Sequence, residues 1–432
     1  MNKKLVVLMV TAFVDMMGVL IVVPLLPFVA KEMLGHGPIW TALNAVHLGG
    51  DGMVVSILVM MFAVAQLASA PYWGRVSDRY GRRPALMIGL GASAVAYVIF
   101  AYANSLELLF LCRIVQGAGG GTVGVIQAYV ADATAPKDRA KALGWLSAAT
   151  NAGVALGPLI GAASLGFASR SSPGLIAAGI SLANIVFAWK YVTESHDAAA
   201  VHASGKKVRP SREAIRRVLS HPAEPPSRLI WIYAITMGAF QGMNSVLALF
   251  LADKFEITEH TIYYFFVYIG VLAVVTRAGI LGRMVDRFGE PRLSRIGMVL
   301  LSIGLATMPL APSIPWLAVS LALVPLGTAF TFPCVTGLLS QIVPQHERGL
   351  YMGVQQTFGG TARVVAPLYA GWTFDHLGHG VPYFTGGVVV LLTISLGLDM
   401  EKYSAHAPPA PAGGPPEAGP QAPSPAPPVR SA

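Results

Sequence analysis

Between Leu5 and Ala30 the chain runs for 26 residues with one charged side chain, Asp15. Roughly 20 apolar residues suffice to cross a bilayer as a helix. Runs of this kind recur near 52–73, 85–104, 107–132, 141–165, 174–193, 229–252, 261–281, 293–311, 314–343, 350–373 and 381–399. No water reaches the backbone inside lipid, so such segments must satisfy their own N–H and C=O groups, as helices do. The reading is an all-α integral membrane protein of twelve spans. Only 12% of residues are charged, against roughly 25% in soluble domains. Met1-Asn2-Lys3-Lys4 looks like the start of a signal peptide. The run behind it is too long for one, holds an acid and lacks a small-x-small cleavage site, so it reads as span 1.

The second constraint is a repeat. Gly74-Arg75-Val76-Ser77-Asp78-Arg79-Tyr80-Gly81-Arg82-Arg83 returns 208 residues later as Gly282-Arg283-Met284-Val285-Asp286-Arg287-Phe288-Gly289-Glu290-Pro291. Pro136 to Gly144 matches Gln345 to Gly353, and Gly157-Pro158 matches Ala366-Pro367, both 209 apart. Two six-span bundles of the same hand in tandem are expected. They occupy residues 1–193 and 229–403, with a basic linker at 194–228 and a Pro/Ala-rich tail at 404–432. The linker should hold a short helix from Ser211 to Ser220, where Ile215, Val218 and Leu219 alternate with Arg216 and Arg217. The tail should be disordered.

The net charge of +9 does not call for nucleic acid. With both termini in the cytoplasm, only Lys31, Arg170 and Lys254 fall outside, and Arg113, Arg277 and Arg363 fall within spans. Every other Lys and Arg is cytoplasmic, which is the positive-inside asymmetry of a bacterial inner-membrane protein. Cys112 and Cys334 lie in different halves, and no histidine lies well inside a span. No metal site, cofactor or disulfide is expected. No G-x-x-x-x-G-K-[ST] loop is present, and Gly117 to Gly121 lies in an apolar span as packing. The expected partners are protons, a small-molecule substrate and membrane lipid, with a monomeric chain.

The loop from Gly74 to Arg83 resembles the G-x-x-x-D-R-x-G-R-R signature of the major facilitator superfamily. Gly74 permits close helix approach, and Gly81 permits a reversal at positive φ. Asp78 is placed to accept from a helix N-terminus. The resemblance implies a latch between the halves, formed by Gly74, Asp78, Arg79, Gly81, Arg82 and Arg83, with Asp286 in the weaker second copy. Its natural partner is the start of span 11 near Gly349. The plain alternative is a basic loop that only orients the chain. In span 5, Gly153, Gly157, Pro158 and Gly161 resemble the G-x-x-x-G-P-x-x-G motif of exporters in the family. Small residues every fourth position give a flat contact face, and Pro158 bends the helix. Ordinary small-residue packing would look the same.

Span 1, from Asp15 through Pro24 and Pro27, resembles the acidic first span of twelve-span drug:proton antiporters, tetracycline exporters among them. Arg113-Ile114-Val115-Gln116-Gly117 resembles their R-x-x-Q-G motif. An isolated charge at membrane depth costs at least ~3 kcal/mol. Asp15, about 15 Å into span 1 at the helical rise, therefore needs a partner or a cavity. Asp15 and Arg113 are expected to meet or to share a cavity near mid-membrane. Desolvation and a neighbouring guanidinium act oppositely on a carboxyl group, so a change in their separation would move a proton. A static ion pair pinning two helices is the alternative. One proton crossing ~100 mV supplies ~2.3 kcal/mol, enough for roughly a 50-fold gradient.

Candidate substrate contacts are Gln116, Gln127, Gln241, Asn244, Phe330, Thr331 and Arg363, a mix suited to an amphipathic molecule. Arg277 is expected to snorkel from the end of span 8. Spans 3 and 9 lack the carboxylates found in tetracycline exporters, which argues against tetracycline itself. The reading is a secondary transporter working by alternating access, with proton-coupled export of a drug-like molecule. A metabolite importer is the alternative. A lipid-modifying enzyme is remote, because the spans offer neither histidine nor paired acids.

Overall fold

A computed structural model describes the chain except residues 1–2, 121, 135–138, 166–169, 195–210, 346, 399 and 402–432. The charged loop at 136–138, the first part of the linker and the tail therefore lie outside the described residues. The first half comprises α1 (Lys3–Val22), α2 (Leu26–Lys31), α3 (Pro38–Ala45), α4 (Asp51–Tyr80), α5 (Arg82–Ala101), α6 (Leu106–Gly119), α7 (Thr122–Asp132), α8 (Arg139–Ser164) and α9 (Ser172–Tyr191). A linker helix α10 (Ser211–Ser220) has the expected bounds. The second half comprises α11 (Pro225–Phe255), α12 (Ile262–Val275), α13 (Leu281–Thr307), α14 (Ile314–Ile342), α15 (Arg348–Leu377) and α16 (Val381–Thr393). Among the described residues the ordered segments are helices and turns, and nine helical runs are long and apolar enough to cross a membrane.

Local chemistry sets the breaks. Pro24 and Pro27 cannot donate backbone hydrogen bonds, and a 3₁₀ turn at Val23–Leu25 divides span 1 into α1 and α2. Gly81 and Gly289, equivalent in the repeat, turn their chains at φ +103° and +73°. At Gly289 the backbone leaves helical geometry (φ +73°, ψ +159°), so the run Ile262–Thr307 is two helices meeting at a kink, where expected spans 8 and 9 adjoin. A π-helical turn, Thr276–Ile280, carries Arg277.

In the first half α1 packs on α8 and α9, and α5 on α6 and α9. In the second, α13 packs on α14 and α16, and α11 on α15. Two seams join the halves: α4 against α15, and α8 against α12. Val54 and Leu58 of α4 are fully buried, whereas Ile88, Val186, Trp189 and Leu392 are exposed around the outside. Apolar side chains facing outward on every side suit a solvent of lipid tails.

Candidate functional site

The first candidate region is a buried polar cluster in the first half. Helix α1 carries Asp15, only 6% exposed. Its Oδ2 accepts from Thr122 Oγ1 at 2.9 Å. Helix α6 carries Arg113 and Gln116 one turn apart, both buried. Arg113 Nη1 donates to Gln116 Oε1, its Nε donates to the Leu58 carbonyl at 3.4 Å, and its guanidinium lies 4.5 Å from the centre of the Phe62 ring. Asp15 and Arg113 thus take separate partners, and no ion pair joins them among the described residues. The two charges are therefore not in direct contact, and each is buried with its own partners. Tyr97 of α5 brings a further buried hydroxyl to this region, beside Gly18 of α1. Its hydroxyl and Gln116 Nε2 are buried without a hydrogen-bond partner. Gly18 makes room for this ring, because a Cβ there would stand 3.3 Å from the Tyr97 oxygen.

The second region is a clamp at the end of the bundle away from the linker. Asp375, near the end of α15, accepts from the Gly52 and Met53 amides of α4 at 2.8 Å each. A carboxylate is well placed there, since the first amides of a helix lack intrahelical acceptors and carry partial positive charge. Gly52 leaves the space: a Cβ would lie 2.8 Å from Asp375 Oδ1 and 3.1 Å from the Gly371 carbonyl. Lys31 bridges Asp51 of the first half at 3.2 Å and Asp253 of the second at 3.6 Å. Tyr263 of α12 donates to the Ile21 carbonyl at 3.3 Å. Its ring fills the space over Gly161, where a Cβ would stand 2.3 Å from Cε1.

Toward the linker side the seam opens. Leu67 of α4 still reaches Gly360 of α15, but a Cβ at Gly74, Gly282, Gly349 or Gly353 would meet nothing within 4 Å. Gly74 and Gly349 are therefore not packed on each other across the seam. Arg82 donates to Asp78 at 2.7 Å, Asp132 at 3.0 Å and Ser77 at 2.7 Å, all within the first half. Arg79 lies over the Tyr80 ring, and Arg83 donates to the Trp189 carbonyl. Asp78 does not hold the N-terminus of α5, contrary to expectation. Glu194 holds it, accepting from the Arg82 and Arg83 amides at 2.9 and 3.1 Å. Glu401, 207 residues on, is bonded by Arg292 at 3.0 Å and by Arg295. These guanidinium groups, Arg292 first, hold the Glu401 carboxyl below its ordinary range. The second copy also replaces the Arg82–Asp132 pair with Gln341 donating to Glu290 at 2.8 Å.

The glycines of α8 make the close contacts their spacing suggests. A Cβ on Gly153 would stand 2.3 Å from the Phe13 carbonyl, and one on Gly157 2.7 Å from Leu20 Cβ. The substrate candidates do not form one group. Thr331 donates to the Gly327 carbonyl at 2.8 Å and faces the Ser294 carbonyl at 3.5 Å. Phe330 is buried with Leu293 and Cys334. Both sit in the packing of α13 on α14. Asn244 donates to the Phe240 carbonyl of its own helix at 3.1 Å. Gln127 is exposed and Gln241 half-buried. Arg277 does not snorkel away: it donates to Asn151 of α8 across the second seam. Arg363 is half-buried. It follows Gly359, which touches Tyr233 of α11, and Gly360, which touches Leu67 of α4, so it stands on the face toward the space between the halves.

A sequence model of the Major Facilitator Superfamily matches residues 8–281 and 278–430. The chain belongs to the Major Facilitator Superfamily. Among relatives in this superfamily, the class B tetracycline resistance protein of Escherichia coli is 26% identical over 396 residues, spanning 90% of this chain and 92% of that one. Multidrug resistance protein 2 of Bacillus subtilis (strain 168) is 28% identical over 401 residues, spanning 91% and 94%. The crystal structure of the human organic anion transporter MFSD10 (TETRAN) superposes with a TM-score of 0.71 at 21% identity, covering 91% of this chain and 99% of that one. At that identity the likeness speaks for the major facilitator fold alone. Tyr97, Glu194, Asp375, Lys31 and Glu401 were not singled out in the sequence. The glutamates had a findable signal, since their separation of 207 residues falls within two of the repeat offset.

Proposed function

We propose that this superfamily member is a proton-coupled exporter of hydrophobic or amphipathic small molecules, with the linker side in the cytoplasm. The observation that carries the proposal is Asp15, buried in the first span and hydrogen-bonded to Thr122 rather than ion-paired. Burial disfavours the charged form of any carboxyl group. A state in which water reaches Asp15 then differs from this one in its hold on the proton. Gln116 holds Arg113 in the same buried region, and the low-dielectric interior lets that charge act on Asp15 without direct contact. The clamp closed at one end and the seam parted at the other support alternating access. The relatives named for tetracycline and multidrug resistance support outward transport of drug-like molecules. Arg363, facing the space between the halves, favours substrates that carry an acidic group.

The test is substrate-driven proton movement in everted vesicles. Wild type should release protons when substrate is added, and Asp15→Asn should abolish the release while the protein still inserts. Export driven by a pH gradient at the wild-type rate in Asp15→Asn would remove Asp15 as the proton carrier.

A further inference from the structure

An apolar cleft lies away from the seams, on the flank of the second half. It encloses ≈ 680 Å³ between α11, α15 and α16, with Gly238, Ala362, Thr361 and Val389 among its walls. The polar groups of its threonines are spent on their own helices: Thr361 donates to Thr357 at 3.1 Å and Thr385 to Val381 at 2.9 Å. Apart from Trp231, whose Nε1 is buried without a hydrogen-bond partner, the cleft offers a hydrocarbon little except dispersion contact. Along α15 its lining runs from Thr357 to Ala370, about 20 Å at the helical rise. One leaflet of hydrocarbon is about 15 Å thick, so the cleft is long enough to hold a single acyl chain along α15.

Its linker-side end is closed by α10, whose Ile215 and Leu219 join the lining. Ala214 and Val218 of the same helix are buried. Arg212 and Arg216 each precede a lining residue by three positions, which turns them about 60° from the lining row. Both are exposed, whereas Arg217 is engaged by Glu224 at 2.9 Å. An apolar trough thus ends beside a helix that carries two exposed cations. A neutral drug would leave those cations unmatched.

We propose that this cleft is a seat for one anionic phospholipid, with an acyl chain along α15 and the phosphate against Arg212 and Arg216. This site is separate from Asp15 and from the space between the halves, so it stands or falls independently of the export reading. The seated lipid would brace the outer face of α15 and tie the linker to the second half.

The test uses the full chain in nanodiscs of phosphatidylglycerol or phosphatidylcholine, followed by detergent dilution and mass measurement of retained lipid. Wild type should retain one phosphatidylglycerol and release phosphatidylcholine. Losing two interfacial cations in Arg212→Gln/Arg216→Gln should weaken retention about 30-fold. Thr361→Trp, which fills an exposed position in the trough, should displace either lipid while α10 keeps its charge. Equal retention of both lipids by wild type, or unchanged phosphatidylglycerol retention in the double-arginine variant, would overturn the proposal. So would displacement of bound phosphatidylglycerol by transported dye at its working concentration, which would make the cleft a substrate site. A proton-release assay on the same variants separates this result from any failure of the Asp15 reading.

Discussion

Replacing Asp375 with Asn should unfasten the end of the bundle away from the linker. The carboxylate accepts from two amides of α4 at 2.8 Å, one to each oxygen. Asparagine keeps one acceptor oxygen and turns a donor toward the other amide, so one charge-assisted bond is lost and a repulsive contact replaces it. Hydrogen bonds to charged groups contribute roughly 1.5–3 kcal/mol, and a charge at a helix N-terminus about 0.3–1 kcal/mol. Asp375 is partly open to solvent, and screening reduces both contributions, so about 1.4 kcal/mol is a reasonable net loss. That energy shifts the closed-to-open ratio about tenfold. Spin labels at Thr41 in the first half and Leu310 in the second would report the distance across this end by pulsed electron resonance, in a background lacking Cys112 and Cys334. The open population should rise about tenfold over wild type, with unchanged distances between label pairs inside one half. An unchanged population, or one shifted toward closure, would refute the reasoning that this carboxylate holds the halves together.

Gly157→Leu places a branched side chain where even a Cβ would lie 2.7 Å from Leu20 Cβ. Overpacking of this kind costs about 1–3 kcal/mol, so the melting temperature should fall and α1 should part from α8; a melting curve matching wild type would contradict this packing. The Glu401 clamp should respond to acid in one direction. Its carboxyl is held low by Arg292, so its stabilisation is present above the unfolded value of about 4.3 and is lost only as pH falls through the lower folded value. Hydrogen exchange around Gly289 to Arg295 should stay slow at pH 5 and quicken only below about pH 4. Quickening already at pH 5, or none in acid, would count against the clamp.

Much of the architecture was legible because lipid imposes it. Apolar length marks the spans, and the loop at Gly74 and Gly282 marks the duplication. The linker helix was readable because Ile215, Val218 and Leu219 have helical spacing within a basic stretch. Partner choice was harder to read. Asp78 and Glu194 are both acids near α5, and only the folded path of the chain brings Glu194 onto its amides. Tyr97 reads as one more apolar residue until the fold buries its hydroxyl beside Gly18, on the helix that carries Asp15. Thr331 looks like a cavity residue because its span usually lines one, yet its hydroxyl faces backbone carbonyls in a helix crossing. Sequence spacing gives the face of a helix but not what another helix puts opposite it.

The unequal copies of the charged loop have a mechanical consequence. In the first half Arg82 ties the end of α4 to the end of α7 through Asp78 and Asp132, with only 12% of its side chain exposed. In the second half the corresponding joint is a neutral amide resting on Glu290. Three hydrogen bonds from one guanidinium fix these helix ends in one geometry, whereas the amide contact supplies one. When the two bundles rock, the first behaves as the anvil and the second as the compliant jaw, so duplication followed by divergence has left the machine with a built-in direction of bending.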